Sequence, residues 1–144
     1  MPRIDGQLME LSIVPPAGVR QAWPMILSSL KAVMDTGPVE WIPEDVYHAL
    51  RAGEAACHIA TDANGYAGCM VTQRVIDPYS GVQSLHVWIA HNAADADVIE
   101  GGMELLRTMA KKGGFQRITF GSARPGWAKR FQILSATYEI PIEG

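Results

Sequence analysis

The stretch Gln83-Ser84-Leu85-His86-Val87-Trp88-Ile89-Ala90-His91-Asn92, continued to Phe131, decides the fold. Leu85–Ala90 reads as a strand and His91–Asp95 as a loop. A helix is expected from about Ala96 to Lys112, then a second strand over Arg117–Ser122. The turn Arg124-Pro125-Gly126 leads into a short helix, Trp127–Phe131. A parallel crossover of this kind sets a helix N-terminus at a sheet edge, a place where phosphates bind.

Working outward, 144 residues suit one domain, and 48% hydrophobic with 19% charged residues predicts a packed core. The net charge of −3 is too mild to call for a nucleic-acid or membrane partner. Its distribution is uneven. Seven basic residues (Arg107, Lys111, Lys112, Arg117, Arg124, Lys129 and Arg130) fall between 107 and 130 with no acid among them. Such a run reads first as a solvated face and second as an anion site. No apolar run has transmembrane length, and Met1–Gly6 lacks the apolar core of a signal peptide, so the cytoplasm is expected.

Upstream, Gln7–Val14 alternates weakly and reads as a first strand, ended by Pro15-Pro16. Val19, Trp23, Leu27, Leu30 and Met34 make one helical face, with a break expected at Pro24. Pro43-Glu44-Asp45 opens a second helix running to Gly53. Ala55–Thr61 and Tyr66–Ile76 form a hairpin, with Asn64-Gly65 at the turn. In that register Cys57 faces Thr72 and Ala60 faces Cys69, so the two thiols point to opposite faces. A last strand is expected over Ala136–Ile142. The order is β-α-α-β-β-β-α-β-α-β, an α/β chain with a mixed sheet and helices on both faces. The four tryptophans are core candidates, Ser122 has no His/Asp partner, and no His/Cys spacing suggests a metal.

That order resembles the GNAT superfamily of acyl-CoA N-acyltransferases over nearly the whole chain. The resemblance is strongest in Leu85-His86-Val87-Trp88, in Met103-Glu104-Leu105-Leu106 with Ala110 and Gly113-Gly114, and in Gly126–Phe131. The last segment, and Thr72-Gln73-Arg74, are similar to small GNAT-like proteins of tailed bacteriophages. The resemblance implies a single GNAT-like domain over 1–144. It also implies acetyl-CoA or another acyl-CoA, with pantetheine between the fourth and fifth strands and pyrophosphate on the next helix N-terminus.

Carried residue by residue, the resemblance makes Val87, Ile89, Asn92 and Gly102 candidates for cofactor binding. Arg124, Lys129 and Arg130 would lie near the ribose phosphate and adenine. The family's phosphate signature is degenerate here. Aligned on Leu105-Leu106, Asp97 replaces Gln/Arg, Glu100 replaces the first glycine, and Gly102 matches. With Asp95, these acids cap a helix well, each by roughly 0.3–1 kcal/mol, and repel a pyrophosphate. Gln132 stands where a tyrosine often protonates the leaving thiolate, with Tyr138 further on. His86 shares a strand face with Trp88, opposite Leu85, Val87 and Ile89, and is the candidate base. His91 and Asn92 could meet a ligand or serve as a turn. Two functions follow. One is an N-acyltransferase acting on a small-molecule or protein amine. The other is a non-catalytic phage protein (a virion, assembly or host-modulating component) that docks an acidic protein or nucleic acid through its basic face, in the host cytoplasm or the virion.

Overall fold

The structure, a computed structural model, describes residues 3–4, 7–8, 10–92, 98–121 and 129–142. Two short strands, β1 (Arg3–Ile4) and β2 (Gln7–Leu8), pair with each other in a small antiparallel sheet. The main sheet holds β3 (Glu10–Val14), β4 (Ala55–Asp62), β5 (Gly65–Ile76), β6 (Gln83–Asn92) and β7 (Arg117–Phe120), in that spatial order. The first four strands are antiparallel, and β6 and β7 are parallel. Helices α1 (Val19–Asp35) and α2 (Pro43–Arg51) precede β4, and α3 (Val98–Lys112) makes the crossover from β6 to β7. The mixed α/β architecture expected from the sequence is present.

The sheet separates two cores. Val19, Ile26 and Leu30 of α1 and Val46, Ala49 and Leu50 of α2 pack on Cys57, Ile59, Cys69, Val71 and Ile89. On the opposite face Leu106 and Ala110 of α3 pack on Ala60, Met70, Leu85 and Val87. Each fully buried aliphatic side chain contributes about 1.5–3 kcal/mol. The α1 stripe is rotated from the expected one. Ile26 and Ser29 are buried, whereas Met34 is exposed. Helix α1 also runs unbroken through Pro24. In α2, Asp45 accepts a hydrogen bond from the Ile42 N–H at 3.0 Å and so caps the helix start.

Several expectations are corrected. The strand expected over 7–14 is divided, and only Glu10–Val14 joins the main sheet. Strand β6 extends to Asn92, so His91 is a strand residue. The β4–β5 connection is Ala63-Asn64, between the paired Asp62 and Gly65, with the Asn64 N–H bonded to the Asp62 carboxylate at 2.8 Å. A register shift follows between Ala60 and Thr61, so Cys57 pairs with Val71 and Ile59 with Cys69. Both thiols therefore share the α1/α2 face. A one-residue change of register reverses every side chain, which is why the expected opposition fails.

The strand 117–122 is realised as Arg117–Phe120, and Ser122 lies outside the described residues, as do Arg124 and the start of the expected short helix. Residues 132–141 adopt no regular secondary structure. Tyr138, Ile140 and Ile142 are 85%, 88% and 101% exposed, so the expected last strand is absent. Their alternation is genuine, but no described strand edge pairs with it.

Candidate functional site

The site grows from the way β6 and β7 meet. Their first residues are fastened together. The Gln116 N–H bonds the Gln83 carbonyl at 2.8 Å, and the Gln83 N–H bonds the Gln116 side-chain oxygen at 2.7 Å. Arg117 Nε donates to Ser84 Oγ at 2.7 Å, and His86 Nδ1 lies 2.9 Å from Thr119 Oγ1. Pairing then ends at Val87 and Phe120. Ile89 to Asn92 remain paired to β5 only, on their other side. Among the described residues, the β7-facing edge of Trp88–Asn92 is therefore open. Five residues give an edge on the order of 16 Å long. Unpaired N–H and C=O groups along it can hydrogen-bond an extended chain that carries amides.

A bulge inside this edge sets which side chains look where. Val71 pairs with Ile89 and Thr72 with Val87, leaving Trp88 as the extra residue. Leu85 and Val87 face α3, whereas Ile89 belongs to the α1/α2 core. The expectation that Val87 and Ile89 share a face is overturned by the bulge. His91, two residues beyond Ile89, is also turned toward α1. Its Nδ1 lies 2.8 Å from Ser29 Oγ.

Ser29 in turn hydrogen-bonds the Tyr66 hydroxyl. Cys57 and Cys69 are buried on the same side of the sheet, in the α1/α2 core. The Cys57 hydrogen bond, against the opposing effect of burial, holds the Cys69 thiol down to about 7, with Tyr66 and Ser29 helping. Cys57 is pushed up by its hydrogen bond to Cys69 and by burial. Burial pushes the Tyr66 hydroxyl up. His86 and His91 are both held below the usual imidazole range by burial, so each is neutral at pH 7. Such an imidazole can accept a proton.

The structure places the sequence candidates unevenly. His86 sits in the paired part of β6, half-buried, against Thr119. Val87 and Ile89 are buried in opposite cores. Asn92 pairs with Gly68 at the end of β6. Gly102 is buried on the sheet-facing side of α3, where an added Cβ would meet Met70 Cε at 3.5 Å and Leu11 Cδ1 at 3.8 Å. Lys129 and Arg130 are exposed, and the Arg130 guanidinium lies 5.1 Å from the Phe131 ring centroid. Phe131 packs edge-on against Phe120, centroids 5.9 Å apart, so Arg130 is tied to the end of β7 where the gap opens. Arg124 lies outside the described residues.

Ser29, Tyr66, Cys57 and Cys69 went unnoticed as a group. The available signal was a serine inside an apolar stripe, three residues after Ile26 and four before Val33. Among the described residues no cluster of His, Cys, Asp or Glu could hold a metal, and no helix is long and apolar enough to cross a membrane.

Solved structures share this fold. A ribosomal-protein-alanine N-acetyltransferase from Brucella melitensis biovar Abortus 2308 superposes with TM-score 0.64 at 11% identity, over 93% of this chain and 99% of that one. A predicted acetyltransferase with acetyl-CoA from Clostridium acetobutylicum gives 0.64 at 15%, over 93% and 96%. An aminoglycoside acetyltransferase from an uncultured soil metagenomic sample gives 0.65 at 12%, over 94% and 99%. No protein-family model matches the chain, and no curated protein matches it in sequence. The chain shares the fold of these solved acetyltransferases.

Proposed function

We propose that this chain is an acyl-CoA-dependent N-acyltransferase that moves an acetyl or other acyl group onto an amine. The observation that carries the reading is the edge of β6 beyond Val87, which is open among the described residues, beside a parallel strand whose described pairing runs to Phe120. Backbone groups of Trp88–Asn92 would hold the amides of the pantetheine arm. Lys129 and Arg130, at the β7 end of the gap, would meet phosphate. The bound acyl-CoA supplies a thioester carbonyl. The amine nitrogen forms a bond to its carbon, the C–S bond breaks, the thiolate takes up a proton, and the amine proton passes to a base. Neutral imidazoles at His86 and His91 suit that last role.

The residues fit the arm better than the pyrophosphate, because Asp95, Asp97 and Glu100 surround the start of α3 in sequence. These acids favour a second reading, a binding module on the same fold that docks a protein and uses no acyl-CoA. Thermal unfolding with acetyl-CoA separates the two. Ligand at a hundredfold excess over its dissociation constant stabilises by about 2.7 kcal/mol, roughly 5–10 °C for a chain of this size. Such a shift, with release of free CoA thiol in the presence of an amine panel, supports the enzyme. No shift at millimolar acetyl-CoA sinks it in favour of the binding module.

A further inference from the structure

We propose that His91, and not His86, is the base that receives the amine proton, and that Ser29 and Tyr66 fix its tautomer. The inference rests on the acyl-transfer reading and names a residue that reading leaves open. Three observations carry it.

The first is position. His86 lies where β6 and β7 are still paired, with Thr119 against its Nδ1. His91 lies four residues past the last pair, on the open edge, and is partly exposed. A base has to reach its proton, and His91 is the imidazole at the opening.

The second is the hydrogen-bond chain behind it. His91 Nδ1, Ser29 Oγ and the Tyr66 hydroxyl follow one another. In the order proposed here, Ser29 donates to the Tyr66 hydroxyl and His91 Nδ1–H donates to Ser29. Nε2 is then the unprotonated nitrogen, ready to accept. When the amine proton arrives on Nε2, the imidazolium keeps its Nδ1 hydrogen bond and the chain needs no rearrangement.

The third is isolation. Among the described residues, the groups in this chain come from α1, β5 and β6, and none is Asp, Glu, Lys or Arg. His91 is the catalytic residue in this proposal, and Ser29 and Tyr66 are positioning residues.

Two measurements test it. Long-range nitrogen–proton NMR of the imidazoles in the acyl-CoA-free protein should find His91 as the Nδ1–H tautomer. Tyr66→Phe and Ser29→Ala should shift it toward Nε2–H while the fold is retained. An Nε2–H tautomer in the wild type overturns the proposal without any reference to activity. In the acyl-transfer assay, His91→Gln should lower kcat about 100-fold and abolish the acidic limb of the kcat/KM profile, with the acetyl-CoA thermal shift intact. A limb that survives His91→Gln and disappears in His86→Gln overturns the assignment. Absence of the thermal shift in the wild type defeats the acyl-transfer reading itself, and the base with it, while the tautomer result stands on its own measurement.

Discussion

Cys57 and Cys69 lie diagonally across β4 and β5, opposite Val71 and Ile59, with both side chains buried on the α1/α2 face. The two thiols of one pair are thereby driven apart in acidity. Cys69 is held near 7, and Cys57 is raised. Replacing Cys57 should undo this. In Cys57→Ala, the thiolate absorbance of Cys69 is expected to titrate above its value in the wild type. An unchanged titration would show that Tyr66 and Ser29 suffice.

The same pair predicts how stability varies with pH. A depressed thiol contributes stability that is complete above its unfolded value of about 9 and is lost as pH falls through about 7. The raised Cys57 works in the opposite sense, since its contribution is lost as pH rises above about 9. The urea midpoint of the wild type should climb between pH 7 and 9 and decline above. Cys69→Ala should flatten the climb.

His58 offers a separate test at acid pH. It is 3% exposed, its Nε2 has no hydrogen-bond partner among the described residues, and burial lowers its pKa. A histidine buried neutral favours the folded state above the ordinary imidazole range, and that contribution is lost as pH falls through the lowered value. An unpaired buried polar group also costs about 1–3 kcal/mol. His58→Leu should therefore stabilise at neutral pH by about 1 kcal/mol and unfold at a lower pH than the wild type. Urea titrations at two pH values decide this, and a destabilised variant at both would point to a partner for Nε2.

What the sequence revealed followed its strong periodicities. The crossover Leu85–Phe120, the helix to Lys112 and the hairpin around Asn64 produce long apolar patterns with clear stops, and all three are present. The misreadings are one-residue events. Moving the hairpin turn from Asn64-Gly65 to Ala63-Asn64, with the shift after Ala60, brought Cys57 and Cys69 together. The bulge at Trp88 sent Ile89 and His91 to the face opposite Val87. Alternation alone records neither. Ser29 escaped notice because polarity, read along a helix, suggests the solvent side, whereas here it is buried between Ile26 and Leu30.

Gly102 distinguishes packing from ligand contact. It matched a phosphate signature, but its Cα faces Met70 and Leu11 beneath α3. An added methyl would meet Met70 Cε at 3.5 Å, an ordinary contact with the end of a flexible side chain. Glycine within a helix costs about 0.8–1 kcal/mol relative to alanine. Gly102→Ala is expected to raise the urea midpoint by up to that amount, and Gly102→Leu to lower it by overpacking. If Gly102→Ala destabilises instead, the space beneath α3 is tighter than these distances indicate.

The C-terminal segment provides the last prediction. Tyr138, Ile140 and Ile142 alternate like a strand yet are almost wholly exposed, and residues 132–141 form no ladder with the described strands. Stability comes from apolar area removed from water, and these side chains remove very little. A chain ending after Gln132 should therefore keep its urea midpoint to within about 0.5 kcal/mol. It should also retain the Phe131 contact with Phe120, and with it the β7 end of the gap. A loss of several kcal/mol on truncation would mean that the segment pairs with a sheet edge in solution. The outer side of β7 is then the place to look, because its other side already holds β6.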